Sequence, residues 1–388
     1  MSHPAWRILQ VNSLLGGGGT DDQCVQLAAG LQRAGQRVWL AAPAGRPFET
    51  AVHAAGVPLL TVPALGVAKW RYIRALAHWI RREQIQIVHG HHGRDLWPTI
   101  LAARLSGRRP RVVFTRHMAN SPASWPSRHF LLGQCDALLA VSEFAAEVLT
   151  RGHRDPAAGS PERHWRQPIH GDHGKIRVVH GGIDTRRFRP QSAVAQRLAW
   201  GLQPGDFAFA VAGTYHRPRG KGQREFLAAA ARIHEQVPHA RFLIIGRGEL
   251  APELQADIQR LGLGGKAWLT PYCADMPAAM NAIDCLVHPA LGTEAFGLVV
   301  CEAHACGKPV IASALDGIPE AFRAGACGEL LPPEDVPALA AAMANWAQRP
   351  RLNETAQWQL HQRVDQVYSI AAATRRVSAV YAGLLSQQ

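Results

Sequence analysis

Short apolar runs alternate with helix-length stretches along nearly the whole chain, and this alternation limits the fold more than any other feature. Apolar strands separated by helices suit a parallel sheet, because each crossover must return across a face that the helix then covers. In the first half, Arg7 to Val11, Val38 to Ala41, Ile85 to His89, Val112 to Thr115 and Ala137 to Val141 read as buried strands. Helical patterns such as Asp21 to Ala34 and Trp97 to Leu105 fall between them. Arg151 to Gly174, rich in Pro, Gly, His and Arg, breaks the rhythm and reads as a surface excursion. The alternation restarts at Ile176 to Val179. It continues through Phe207 to Ala212, Arg241 to Ile245, Ala267 to Thr270, Cys285 to His288 and Pro309 to Ala312.

A chain of 388 residues exceeds one ordinary core and divides naturally into two. The expected fold class is α/β, with two doubly wound Rossmann-like domains facing across a cleft. Residues 1–180 form the first, with an irregular loop at 151–175, and residues 181–365 the second. A closing helical segment, 366–388, crosses back onto the first. In such sheets ligands gather at the carboxyl ends of the strands.

Composition excludes several classes. A hydrophobic share of 47% against 18% charged residues belongs to a globular chain. No run approaches the ~20 apolar residues of a membrane span, and the chain enters a strand pattern at Trp6 rather than a signal sequence. A cytoplasmic protein is expected, peripheral at most to the inner membrane. The seven cysteines are scattered, with no Cys-x-x-Cys pair, which argues against a disulfide framework and a zinc ribbon. A formal charge of +13 draws anionic partners. No nucleic-acid module is visible, so anionic small substrates or an anionic membrane surface are expected instead.

The most informative run extends from His288 through Glu294, Gly297, Glu302 and Gly307 to Pro309 and Ser313. It reads strand, loop, helix, turn, strand. Gly297 precedes the helix, so free N–H groups there can hold an anion. Glu294 in the loop and Glu302 in the helix can accept hydrogen bonds from hydroxyls at opposite ends of an elongated ligand. Glu302 is expected about two turns beyond Glu294. With Asp316-Gly317-Ile318-Pro319-Glu320 downstream, the run resembles the Glu-x7-Glu signature of retaining GT-B glycosyltransferases of the family-4 type, glycosyl transferases group 1.

The resemblance implies that Glu294 contacts a donor sugar and Glu302 a nucleotide ribose. Backbone groups of Phe296, Gly297, Leu298 and Val299 would lie near the diphosphate. It implies no metal and no cofactor. Gly18 and Gly19, in the glycine run after the first strand, resemble the family's glycine loop. The dinucleotide pattern Gly-x-Gly-x-x-Gly fails there because Asp21 and Asp22 follow. Lys221 is placed to offset charge on a departing nucleoside diphosphate. Where the family has an Arg after Gly213 this chain has Thr214, leaving Arg217 or Arg219 as the replacement. His117 follows a first-domain strand, where similar proteins set a His against the donor sugar. Catalytic roles are therefore expected for His117, Glu294 and Lys221.

Other stretches read less specifically. His89-Gly90-His91-His92-Gly93-Arg94-Asp95 is out of register for a metal hydrolase motif and reads as a loop at the cleft mouth. Val178-Val179-His180-Gly181-Gly182-Ile183-Asp184 resembles the family's interdomain element, with His180 and Gly181 replacing Pro and Asn. In Lys69 to Arg82 the apolar positions 70, 73, 76, 77 and 80 form a packing face. The basic residues beside it can meet water, anionic lipid or an anionic saccharide.

The expected function is retaining transfer of a sugar from a nucleoside-diphosphate donor, with UDP as carrier, to a hydroxyl acceptor. The acceptor class is a bacterial cell-surface saccharide or glycolipid of lipopolysaccharide type. The alternatives are a sugar-nucleotide epimerase of the same fold, or a non-catalytic nucleotide-sugar-binding member of a glycan assembly complex.

Overall fold

The computed structural model describes residues 5–66, 69–153, 167–216 and 220–386. The chain forms two compact units: Met1–Gly182 joined by Ile370–Gln388, and Ile183–Ser369. Among the described residues no helix is long and apolar enough to cross a membrane.

The first unit opens with β1 (Arg7–Val11), α1 (Gly19–Arg33), β2 (Arg37–Ala42), α2 (Glu49–Ala54) and β3 (Leu59–Thr61). It continues through α3 (Lys69–Arg82), β4 (Ile87–Gly90), α4 (Leu96–Leu105), β5 (Arg111–Arg116), α5 (Trp125–Gln134), β6 (Ala137–Ala140), α6 (Glu143–Arg151) and β7 (Ile176–Val178). Its seven strands pair in the order β3-β2-β1-β4-β5-β6-β7, every pair parallel. The order reverses between β1 and β4, so the loops after those two strands flank the switch point where doubly wound folds bind ligands.

The second unit runs α7 (Val194–Ala199), β8 (Phe207–Ala212), α8 (Gln223–Ile233), β9 (Ala240–Ile245), α9 (Ala251–Arg260), β10 (Ala267–Leu269), α10 (Met276–Ala282) and β11 (Cys285–His288). Then come α11 (Leu298–Ala305), β12 (Val310–Ser313), α12 (Ile318–Gly325), β13 (Gly328–Leu331), α13 (Val336–Gln348) and α14 (Glu354–Tyr368). Its six parallel strands take the order β10-β9-β8-β11-β12-β13, with the reversal between β8 and β11. The core is built on Phe207, Phe209, Phe226 and Phe242, packed with aliphatic residues of α8, α9 and α13.

The final element, α15 (Ile370–Leu385), belongs to the first unit, where Val377 and Tyr381 enter the core under α1. The two helices cross closely because Gly30 carries no side chain: a Cβ there would stand 2.3 Å from Thr374 Oγ1.

The units divide at 182/183 and 369/370, not at 180/181 and 365/366. Gln23 of α1 holds Gly182 through both backbone groups, accepting from its amide at 2.9 Å and donating to its carbonyl at 2.6 Å. Ile183 instead donates to the Tyr368 carbonyl at 2.8 Å, which keeps all of α14 with the second unit. The closing helical segment expected at 366–388 is thus α15, with residues 366–368 ending α14 and Ser369 extended between the two helices.

Of the expected surface excursion, residues 154–166 lie outside the described residues. The stretch just after them is anchored: Ile169 is buried and the His170 amide donates to the Arg128 carbonyl. The face of α3 also differs from the one that periodicity predicts. Tyr72 is buried with Ile73, Leu76, Ala77 and Ile80, whereas Trp70 is 62% exposed. Tyr72 shares the helical face of Ile73, Leu76 and Ile80, while Trp70 lies at the helix start, beyond the packed turns.

Candidate functional site

In the second unit, the loops after β8 and β11 converge. Gly220 and Gly222 take positive φ (67° and 87°), turning the chain so that Lys221 folds back over Gly213. The Lys221 amide donates to Gln223 Oε1 at 2.7 Å, which fixes the turn at the start of α8. In the β11 loop, the Glu294 amide donates to Asp316 Oδ2 at 3.2 Å and its carbonyl accepts from Gly317 at 3.0 Å. Gly317 permits this contact, since a Cβ there would stand 2.2 Å from the Ala295 oxygen.

These supports bring Lys221 Nζ to 2.7 Å from Glu294 Oε2, with His288 Nε2 at 3.6 Å from the same oxygen. Neither ring nitrogen of His288 has a hydrogen-bond partner among the described residues. Burial pushes the Glu294 carboxyl up, but His288 and the Lys221 ammonium outweigh it and hold it at about 2. Glu294 is thus a permanent carboxylate at neutral pH, an acceptor for hydroxyl groups and not a proton donor.

Gly297 takes a left-handed conformation (φ 93°) and opens α11 without a side-chain cap. The amides of Leu298 and Val299 at that end have no partner among the described residues. Phe296 buries its ring at 5.1 Å from that of Tyr368, so only its backbone can serve a ligand. Glu302 is the fifth residue of α11, so only about one helical turn, not two, separates it from Glu294, because the chain from Glu294 to Gly297 is loop. Thr214 is exposed just beyond β8. Arg217 and Arg219 lie outside the described residues. Together these groups offer a carboxylate, an ammonium and unpaired helix-end amides, a set that accepts both hydroxyls and phosphate oxygens.

In the first unit, the glycine loop after β1 is shaped by a residue just beyond it. Asp21, buried in the first turn of α1, accepts from Asn12 Nδ2, the Gly17 amide and His92 Nε2, each at 2.8 Å. Burial raises its carboxyl, and these hydrogen bonds more than offset that, leaving it below the ordinary value. Gly16, Gly18 and Gly19 face open space: a Cβ on any of them would meet nothing within 4 Å.

His89 and His91 are not at a loop mouth. His89 lies inside β4 and both rings are buried. β4 is flanked by β1 and β5, so a polar side chain there must find partners inside. His89 meets Tyr381 Oη at 2.6 Å and Thr115 Oγ1 at 2.7 Å. His91 meets Gln10 Oε1 at 2.7 Å and His117 Nε2 at 3.1 Å. His117, half-buried just after β5, is drawn into this cluster, and burial pushes its imidazole down to about 3.

The structure therefore gathers Glu294 and Lys221 with the start of α11, and separately joins His117 to the strand ends behind the glycine loop. Sequence reasoning missed Asp21, Asn12, Gln10, His92, Tyr381 and His288 as site-building residues. An acid just after a glycine run was the one local signal for Asp21. Nothing local marks Tyr381, which lies 292 residues from His89.

Two doubly wound parallel units of seven and six strands define the GT-B architecture. Residues 206–349 match the family model of glycosyl transferases group 1, and residues 17–158 that of glycosyltransferase family 4, so the chain carries a domain of each. It is 30% identical over 269 residues to D-inositol 3-phosphate glycosyltransferase of Mycobacterium sp. (strain KMS), covering 64% of this chain and 56% of the relative. The chain thus spans a little over half the length of that curated relative. Among solved structures, a glycosyltransferase from Rickettsia africae ESF-5 superposes with a TM-score of 0.80 at 17% identity over all of both chains. Anabaena HepE in complex with UDP and glucose superposes with a TM-score of 0.77 at 18% identity, covering 97% of this chain and 100% of that one.

Proposed function

We propose that the protein is a glycosyltransferase that moves a sugar from a nucleoside-diphosphate donor to a hydroxyl acceptor with retention of configuration. The carrying observation is the Lys221–Glu294 pair beside the unpaired amides of Leu298 and Val299. On this reading the diphosphate takes the helix end and Lys221, Glu294 accepts from the sugar hydroxyls, and Glu302 accepts from the ribose. Arg217 or Arg219 adds positive charge to the diphosphate. Lys221 and the amides oppose the charge that develops as the sugar bond breaks, the work a metal would otherwise do. The departing phosphate takes the acceptor proton, and attack from the face it leaves gives retention.

In the first unit, Gly18, Gly19 and His117 serve the sugar and acceptor side. UDP is the proposed carrier, supported by the nucleotide bound to HepE. The acceptor is an anionic, hydroxyl-bearing cell-surface saccharide or glycolipid. The net charge of +13 and the phosphorylated acceptor in the mycobacterial relative's name support this choice. The exposed Trp70, Arg71, Arg74, Arg81 and Arg82 of α3 would make peripheral contact with an anionic membrane.

A thermal-shift panel of UDP, GDP, ADP, their sugar conjugates and NAD, with and without EDTA, tests the donor class. A ligand at 100 times its Kd stabilises the fold by about 2.7 kcal/mol. A shift with one nucleotide, unchanged by EDTA, supports the proposal; a shift with NAD alone, or one that EDTA abolishes, rejects it. Release of a rearranged sugar without acceptor would instead mark an epimerase.

A further inference from the structure

Three histidines, His89 within β4 and His91 and His117 just after β4 and β5, join one hydrogen-bond chain through Gln10 and Tyr381, and its direction is set by a single amide. His89 and His91 stack with centroids 4.5 Å apart, and His91 and His117 with centroids 5.4 Å apart. Rings this close and this buried are neutral, so each carries one N–H and one lone pair. A neutral imidazole can join the chain in either sense. Gln10 selects one sense, because its carbonyl and its amino group are different atoms and the structure turns the carbonyl towards His91 and the amino group towards Tyr381. Its Oε1 lies 2.7 Å from His91 Nε2, so His91 donates from Nε2. Its Nε2 lies 3.4 Å from Tyr381 Oη and donates to it.

Gln10 thereby orients the other links. His91 Nδ1 holds a lone pair and accepts from His117 Nε2–H at 3.1 Å. Tyr381 donates to His89 Nδ1 at 2.6 Å, and His89 Nε2–H donates to Thr115 Oγ1 at 2.7 Å. His117 Nδ1 is left as a bare acceptor, with no hydrogen-bond partner among the described residues.

We infer that Gln10 is a positioning residue that fixes His117, through His91, in the Nε2–H tautomer, so that His117 meets a ligand as a hydrogen-bond acceptor. The group it would meet is a hydroxyl that donates, as a sugar hydroxyl can. The tautomer depends on the chain alone; its effect on turnover rests on the proposed role of His117 at the sugar.

The test uses full-length protein labelled with ¹⁵N-histidine, with His117 resonances assigned from the spectrum of His117→Gln. Two-bond ¹H–¹⁵N correlations should show His117 Nδ1 unprotonated and Nε2 protonated in the wild type. Gln10→Leu removes the acceptor from His91, so His91 and His117 should both shift to mixtures of tautomers. Sugar transfer should fall at least about 10-fold in kcat with donor KM within about twofold, since outer partners of functional histidines carry effects of this size. Gln10→Glu, which still accepts from His91, should restore the single tautomer. A wild-type His117 protonated at Nδ1, or an unchanged tautomer in Gln10→Leu, overturns the inference. A changed tautomer with unchanged transfer leaves the chain standing and instead removes His117 from the reaction.

Discussion

Gly222 lies against Pro289 with no room for a side chain: a Cβ on Gly222 would stand 2.0 Å from the Pro289 carbonyl oxygen. This contact sets the Lys221 turn on the root of the Glu294 loop. Gly222→Ala combines a positive φ of 87° with a clash against backbone that cannot rotate away. Strain and overpacking together should cost roughly 3 kcal/mol. Urea unfolding should show it as a lower midpoint, with weaker nucleotide binding alongside. An unchanged midpoint would mean that the two loops are not held by this contact.

Glu294→Gln keeps the shape of the side chain and removes its charge. Against its burial, His288 and Lys221 hold this mostly buried carboxyl well below its ordinary value, so neutralising it should cost on the order of 1–3 kcal/mol of stability. Transfer should fall on the order of 100-fold, the scale of losing one preorganised polar contact at a reacting centre. Measuring kcat well below the Tm of the variant separates the two effects; full transfer by the folded variant would make the residue structural.

Stability should fall as the pH drops from 7 to 5. Burial lowers His89 to about 3 and His304 to about 4, against an ordinary value of 6.5, and His91 and His117 are lowered in the same direction. Below pH 6.5 the unfolded chain takes up protons that the folded state refuses. Their stabilisation is therefore complete above 6.5 and lost as pH falls towards the folded values. Asp95 opposes this: burial raises its carboxyl to about 6, so the folded state gains a proton first as pH falls. One aspartate does not cancel four histidines, each fully buried one amounting to roughly 2 kcal/mol at pH 5. The Tm should drop by roughly 5 °C or more, and a flat profile would contradict the buried neutral imidazoles.

Trp70 and Tyr72 should part company in α3. Trp70→Ala touches an exposed ring and should shift stability by about 0.5 kcal/mol or less. Tyr72→Ala empties a fully buried site and should cost roughly 3–5 kcal/mol. A larger loss for Trp70→Ala than for Tyr72→Ala would place the packing face of α3 where the sequence periodicity alone puts it.

Most strands were legible because burial on both faces demands continuous apolar runs such as Phe207 to Ala212. β3 and β13 escaped, being edge strands of only three and four residues whose Leu-Leu pairs abut Pro58 and Pro332. Ser369 escaped for another reason: one extended residue between two helices leaves the apolar periodicity almost unbroken.

Order along the chain by itself determined two α/β halves, the loops at their strand ends, and the placement of Glu294, Gly297 and Glu302 on a loop and the helix after it. Those features come from local spacing, which needs no partner to be read. Only the tertiary structure decided that Lys221 meets Glu294, that Asp21 fills the glycine loop from within, and that His89 and His91 are buried. It alone brought Tyr381 of the last helix to His89 of β4. Each of these is a contact between residues whose neighbours in sequence carry no trace of the other. Parallel sheets bring such strand ends together only after every crossover has been made.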